Sequence, residues 1–199
     1  LLITATHLTS TYPGFIYDDE DTFQLTNCLT EIHQLICNGD KPGSLHFTVN
    51  SLLKAMYSVR DKWSIDNWRI IDDIENVKRR IGILEPQNIR HAFSLLNQGV
   101  LSFLEMNRQS MYRGEGWLMY RIGQLIEEIS LELIQFRSLL TFQFEESTEF
   151  QVLEALLVSN QSLTNYRSVY RTYFGVAPAL DLLFLNKQNP SSILSQFEE

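Results

Sequence analysis

Eleven residues of this chain occur almost twice. Leu35-Ile-Cys-Asn38-Gly-Asp-Lys-Pro42-Gly-Ser44-Leu45 returns as Leu183-Phe-Leu-Asn186-Lys-Gln-Asn-Pro190-Ser-Ser192-Ile193. Leu, Asn, Pro and Ser keep their register, and the last position is aliphatic in both. Each copy ends an apolar helical pattern, passes through a short turn and begins another. Proline suits the first turn of a helix, where its missing N–H would have no partner, so helices are expected to open at Pro42 and at Pro190, with Ser44 and Ser192 beside them. A repeat of this kind points to two related helical units. The prolines lie 148 residues apart, yet only 41 residues precede the first. If the units match, the first lacks its opening helix, and the chain is expected to be a piece of a longer product.

The rest of the chain reads as helix. Apolar residues recur at three and four, and no convincing strand alternation interrupts them. Leu1 to about Ser10 reads as a helix tail and Tyr12-Pro-Gly-Phe15 as a turn. Asp21 to Cys37 carries Phe23, Leu25, Leu29, Ile32 and Ile36. A second helix is expected from about Pro42 to Lys62, with Leu45, Val49, Leu52, Leu53, Met56 and Val59 inward. Ser64 is placed to cap the next, with Asn67 where a capping box has Glu or Gln. Its apolar side is Trp68, Ile71, Ile74, Val77 and Ile81, and Gly82 is expected to end it. Glu85-Pro86 opens another helix, through Ile89, Phe93, Leu96, Val100, Phe103 and Leu104. Arg113-Gly-Glu-Gly-Trp117 marks a tight turn. The longest stripe follows, from Leu118, Ile122, Leu125, Ile126 and Ile129 through Leu133, Phe136 and Leu140. A polar link over residues 145–149, one helix from Phe150 to Tyr170, a break at Phe174-Gly175 and helices at Pro178 and Pro190 complete the chain. The expected fold class is all-α, a multi-helix bundle with two pseudo-repeated helical units in a single domain over residues 1–199.

With 199 residues, 44% of them hydrophobic, the chain can bury a sizeable core. Its formal net charge of -8 disfavours nucleic acid and anionic membrane surfaces, which need clustered Lys and Arg. Lys78-Arg79-Arg80 is the densest basic run, and it follows Asp72-Asp73 and Glu75 as the macrodipole of one helix would favour. Cys28 and Cys37, nine apart in one helical pattern, are badly placed to bridge. They read as small core residues in a reducing cytoplasm. No apolar run is long enough to span a bilayer.

Little of this points to a reaction. His7, His33, His46 and His91 are scattered, without the Glu-x-x-His spacing of a di-iron bundle, so no metal is expected. There is no nucleophile elbow, and the only glycine pair in a turn follows no strand, so no cofactor is expected either. One polar group stands out. Arg113, Trp117 and Arg121 are four apart, so Trp117 could stack between two guanidiniums. Glu127, Glu128 and Glu132 follow, and Glu128 and Glu132 form a like-charged i, i+4 pair that something must tolerate. The bland reading is a solvated acidic face. The functional reading is a carboxylate paired with an Arg inside the bundle. Glu127 is its candidate because it borders the apolar stripe, and Arg60-Asp61 offers the counter-charge.

The run from Met111 to Glu128 resembles the signature of the bacterial alpha-E family, W-x-F-L-x-L-G-R-x-L-E-R-A. Trp117, Gly123 and Glu127 match, with Ile122 and Ile126 as aliphatic equivalents. Pro42-Gly-Ser44-Leu45 and Asn-Pro190-Ser-Ser192-Ile193 resemble the family's N-P-x-S-I turns. Val59-Arg60-Asp61 followed by Trp68 looks like its V-R-D…W stretch. The chain departs where Glu128 replaces the Arg of the Glu-Arg dipeptide, where Gln124 follows Gly123, and where Leu52-Leu-Lys-Ala55 replaces A-R-E-N. The resemblance implies an all-helical domain, largely uncharacterised, found beside or fused to ATP-grasp ligases and near transglutaminase-like peptidases. It implies a helical accessory or scaffold that acts with such a protein partner and is not catalytic on its own; a homo-oligomer stays open. The alternative is an enzyme or a small-ligand or peptide-binding domain with a polar site around Glu127, Arg113 and Arg60, or with Trp117 and Tyr120 lining a cleft.

Overall fold

The structure, a computed structural model, describes residues 2–11, 25–81, 88–141, 144–171 and 173–198. The turn expected at Tyr12-Pro-Gly-Phe15, the helix stop at Gly82 and the helix start at Glu85-Pro86 lie outside them. Every regular element among the described residues is helical: α1 (Leu2–Thr9), α2 (Leu25–Cys37), α3 (Leu45–Ser58), α4 (Ile65–Ile81), α5 (Ile89–Ser110), α6 (Glu115–Leu140), α7 (Glu146–Ser159), α8 (Leu163–Tyr170), α9 (Val176–Leu180) and α10 (Ile193–Glu198). A 3-10 turn, Arg60–Lys62, follows α3, and one π-helical turn, Asp181–Leu185, continues α9. The all-α class is therefore established. The helices form two compact units, Thr9–Trp117 and Leu1–Leu8 with Leu118–Glu199.

In the unit Thr9–Trp117, the core joins Ile36 and Cys37 of α2, Val49, Leu53 and Met56 of α3, Ile71, Ile74 and Ile81 of α4, and Leu96 and Phe103 of α5. Each such side chain contributes about 1.5–3 kcal/mol on burial. Helices α4 and α5 approach closely because Gly99 faces Ile74: a Cβ at residue 99 would lie 2.9 Å from Ile74 Cγ1. Ser64 caps α4 as expected, accepting from the Asn67 N–H at 3.2 Å. The Asn67 side chain does not reach back to the cap. It is buried and donates to Asn107 Oδ1 of α5 at 2.9 Å. Cys37 is a buried free thiol, and His46 Nδ1 donates to its carbonyl at 3.1 Å.

In the other unit, Phe136 and Leu139 of α6 pack with Val152, Leu153, Leu156 and Leu157 of α7, Tyr166 of α8, Ala179 of α9, Leu182 and Leu183 of the π turn, and Ile193 of α10. Tyr166 is fully buried, and its hydroxyl is satisfied: it donates to the Tyr173 carbonyl at 3.1 Å and accepts from Gly175 N at 3.2 Å. The single helix expected from Phe150 to Tyr170 is two. It breaks after Ser159, where Gln161 takes a left-handed φ of 52° and Ser162 N bonds Leu157 O. The polar link expected at residues 145–149 instead forms the first turn of α7, where Glu145 O accepts from Thr148 and Glu149. Helix α9 begins at Val176, two residues before Pro178.

The repeated segment builds nearly the same turn in both units. Asn38 Oδ1 accepts from Asp40 N at 3.0 Å, and Asn186 Oδ1 accepts from Gln188 N at 2.9 Å. Ser44 Oγ accepts from Phe47 N at 3.1 Å, and Ser192 Oγ from Ser195 N at 3.1 Å. Both serines are fully buried N-caps. The helices therefore start at Leu45 and Ile193, three residues later than expected. The prolines sit in the turn ahead of the cap, since a Ser oxygen that satisfies an orphan N–H defines the start better than a ring that only tolerates it. The far end of α3 is earlier too: Ser58, not Lys62. At one position the copies differ in backbone demand as well as in side chain. Gly43 has φ +83°, and the Thr9 carbonyl would lie 1.8 Å from a Cβ there; the second copy has Ser191 at that place.

Candidate functional site

The polar group picked out by spacing divides into a corner and a helix face. At the corner, Arg113 lies in the turn before α6, and Gly114 N bonds the Tyr112 carbonyl at 2.9 Å. The Arg113 guanidinium carbon stands 3.5 Å from the Trp117 ring centroid, and its Nη2 donates to the Arg108 carbonyl. Arg108 in turn grips Glu105 through two bonds of 2.7 Å, and Gln109 adds a third of 2.6 Å. These donors pull the Glu105 carboxyl down to about 2, Arg108 most strongly. The corner is thus a ladder of cations and acceptors that closes the α5–α6 turn. Arg121 is half-buried on α6.

Ten residues, about 15 Å of helix, separate Trp117 from Glu127. Glu127 is exposed. The like-charged pair beside it is relieved by two amides: Gln124 Nε2 donates to Glu128 at 2.9 Å, and Gln196 Nε2 of α10 donates to Glu132 at 2.8 Å. Glu132 is a carboxyl that burial pushes up, with the Glu128 charge adding to the effect. Spacing missed it because its partner lies 64 residues away. Arg60 and Asp61 occupy the exposed 3-10 turn in the unit Thr9–Trp117. Asp61 pairs with Lys62 at 3.0 Å, and that bond lowers its carboxyl. Of the nearby tryptophans, Trp63 donates from Nε1 to Met56 O at 2.8 Å and makes a T-shaped contact with Phe103, while the Trp68 ring centroid lies 5.4 Å from that of Tyr57. The V-R-D…W stretch therefore supplies packing anchors between α3, α4 and α5.

Grooves lie on both units. One of about 680 Å³ runs along α4 and α5, bordered by Asp73, Asn76, Arg80, Gln98, Gly99 and Ser102. One of about 130 Å³ is lined by amides, among them Asn165, Asn186, Gln188 and Asn189. Among the described residues, no group of three or more His, Cys, Asp or Glu is placed to hold a metal ion.

The outer side of α6 is apolar. Leu118, Met119, Ile122, Ile126 and Leu133 are 57%, 71%, 50%, 61% and 46% exposed. The apolar stripe read from spacing thus faces outward at Leu118, Ile122, Ile126 and Leu133; Phe136 and Leu139, nearer the C-terminal end, are the buried residues of the helix. Gly123 lies on the same side, with nothing within 4 Å of a Cβ built there. Phe93 of α5 is likewise 40% exposed. No described helix is long and apolar enough to cross a membrane.

Comparison with known proteins places the chain. An uncharacterized protein of Mycobacterium tuberculosis is 28% identical over 197 residues, covering 96% of this chain and 22% of the relative. An uncharacterized protein of Mycobacterium bovis matches to the same extent. The chain thus spans about a fifth of the length of these relatives. No solved structure matches it. Residues 2–199 match Alpha-E, described as a predicted alpha-helical domain with a conserved ER motif; Glu127-Glu128 stands where the resemblance places that Glu-Arg pair. The chain belongs to the Alpha-E family.

Proposed function

We propose that this chain is a helical accessory or scaffold domain that works in the cytoplasm with a larger amide-bond-forming system, an ATP-grasp-type ligase or a transglutaminase-like protein being the partner. The observation that carries this reading is the exposed apolar side of α6. Leu118, Met119, Ile122 and Ile126 repeat at helical spacing with Gly123 among them. A surface helix of a globular protein normally hides such a stripe, and exposed apolar patches of this kind mark interaction sites. Gly123 supports the reading, since glycine costs a helix about 1 kcal/mol relative to Ala and no described neighbour demands it. The relatives support it too, because their matched part is a fraction of a longer protein. The buried free thiol of Cys37 suits a reducing compartment.

The test is affinity purification of the full-length product at native level with mass spectrometry, beside the same product carrying Ile122→Asp and Ile126→Asp. Recovery of a ligase or peptidase of these classes with the native face, and its loss with the altered one, is the expected result. A solitary protein refutes the partnership, and a homo-oligomer in light scattering assigns the face to self-association.

A second reading, a module that binds a small polar ligand or peptide, draws on the α4–α5 groove, where Asp73 and Arg80 put opposite charges two turns apart on one helix. Equilibrium dialysis against cell extract that retains nothing sinks it. An enzyme acting around Glu127, Arg113 and Arg60 would lose activity on Glu127→Gln while keeping its fold.

A further inference from the structure

Two buried polar pairs look alike and differ in one proton. Asn67 Nδ2 donates to Asn107 Oδ1, which leaves Asn67 Oδ1 and Asn107 Nδ2 buried without a partner. One spare atom is an acceptor and the other a donor, so the pair can complete itself whatever the pH. Gln196 Nε2 donates to Glu132 Oε1, which leaves Glu132 Oε2 and Gln196 Oε1 buried without a partner. Both spare atoms are acceptors when Glu132 is ionised. A protonated carboxyl turns one of them into a donor, and a single O–H···O bond then satisfies both.

We propose that Glu132 and Gln196 form a proton-dependent clasp between α6 and the C-terminal helix α10, closed as an eight-membered acid–amide ring while Glu132 is neutral and opened when it ionises. Burial is the larger influence on Glu132 and favours the neutral, closed form, although the Gln196 amide bond taken alone favours the ionised carboxyl. Buried polar atoms are costly when unpaired, and the ionised clasp leaves two. Among the described charged groups, the one that acts on Glu132 is Glu128, one turn away on α6, and it opposes a second negative charge. The charges on the segments packed with α10 are engaged elsewhere: Lys187 with Glu198, and Asp181 with the Tyr170 hydroxyl. The clasp ties down a helix that is otherwise short, with Phe197 72% exposed beside Gln196.

The sign follows from linkage. A carboxyl held up in the folded state contributes its stability fully below its ordinary value, and loses it as pH rises through the folded-state midpoint. The clasp is therefore closed in mild acid and loosens toward alkaline pH. The first measurement is a carbon-13 carboxyl titration of the full chain by NMR. Glu132 should titrate above the ordinary carboxyl value of 4.5. The second compares hydrogen exchange in α10 between the native chain and Glu132→Gln at matched pH. The amide cannot ionise and supplies its own donor, so the two should agree near pH 5. Above the folded-state midpoint the native chain should exchange faster in α10, about tenfold per pH unit between that midpoint and the ordinary one. An ordinary Glu132 midpoint, or an exchange ratio that is flat with pH, overturns the clasp. The titration needs no variant, so the proposal stays testable even if Glu132→Gln does not fold.

Discussion

At the scale of single residues, Ser44 and Ser192 show how little sequence suffices to make a turn. Each hydroxyl accepts from an N–H three residues on, and each is fully buried. Removing an N-cap costs about 0.5–2 kcal/mol. Ser44 also donates to the Asn38 carbonyl, so Ser44→Ala strands a half-buried acceptor and should cost more than Ser192→Ala. Urea unfolding with both m-values unchanged checks this; equal losses would mean that the Asn38 bond contributes nothing. Tyr166→Phe should cost about 1–3 kcal/mol, because the Gly175 N–H and the Tyr173 carbonyl both lose a buried partner. The turn signals of Asn, Pro and Ser were legible because they act within a few residues. The Asn67–Asn107 and Glu132–Gln196 bonds were not, because each joins helices far apart in sequence.

At the scale of elements, two glycines in helices make opposite demands. Gly99 lets α5 close on α4, and a methyl there meets Ile74 Cγ1 at 2.9 Å. Ile74 is buried and has little room to yield. Overpacking of this kind costs about 1–3 kcal/mol, against about 1 kcal/mol gained in helix propensity. Gly99→Ala should therefore destabilise or at best break even. Gly123→Ala meets open space and should stabilise by up to about 1 kcal/mol. Thermal melts of the two variants decide the matter, and a gain at Gly99 would show that α4 and α5 slide apart freely. Most helices were legible from apolar spacing. The break at residues 160–162 was not, because Asn160, Gln161 and Ser162 interrupt a pattern whose apolar residues continue in step on both sides. The direction of the α6 stripe was not legible either: spacing shows that a face exists, but not what covers it.

At the scale of the whole molecule, the net charge of -8 includes carboxylates tied to cations or donors. Glu105 is held at about 2 by Arg108 and Gln109, and Glu75 is lowered chiefly by the Tyr57 hydroxyl. A lowered carboxyl contributes stability above its ordinary value and loses it as pH falls through the folded-state value. Melting temperature should thus fall from pH 5 toward pH 2, and Glu105→Gln should flatten that slope only slightly, since the group is exposed and solvent screens it. A steep flattening would mean that the corner at residues 105–113 holds far more of the fold than its exposure suggests. The helical class, the cap residues and the repeated turn were determined by the sequence alone, because periodicity and capping are short-range and each acts within one or two helical turns. Only the tertiary structure decided that Glu132 is half-buried while Glu127 is exposed, that Arg113 rests on Trp117 from a turn outside the helix, and that α6 shows its apolar side to solvent. Burial and pairing depend on which distant segments meet, and residue spacing along one helix carries no information about that.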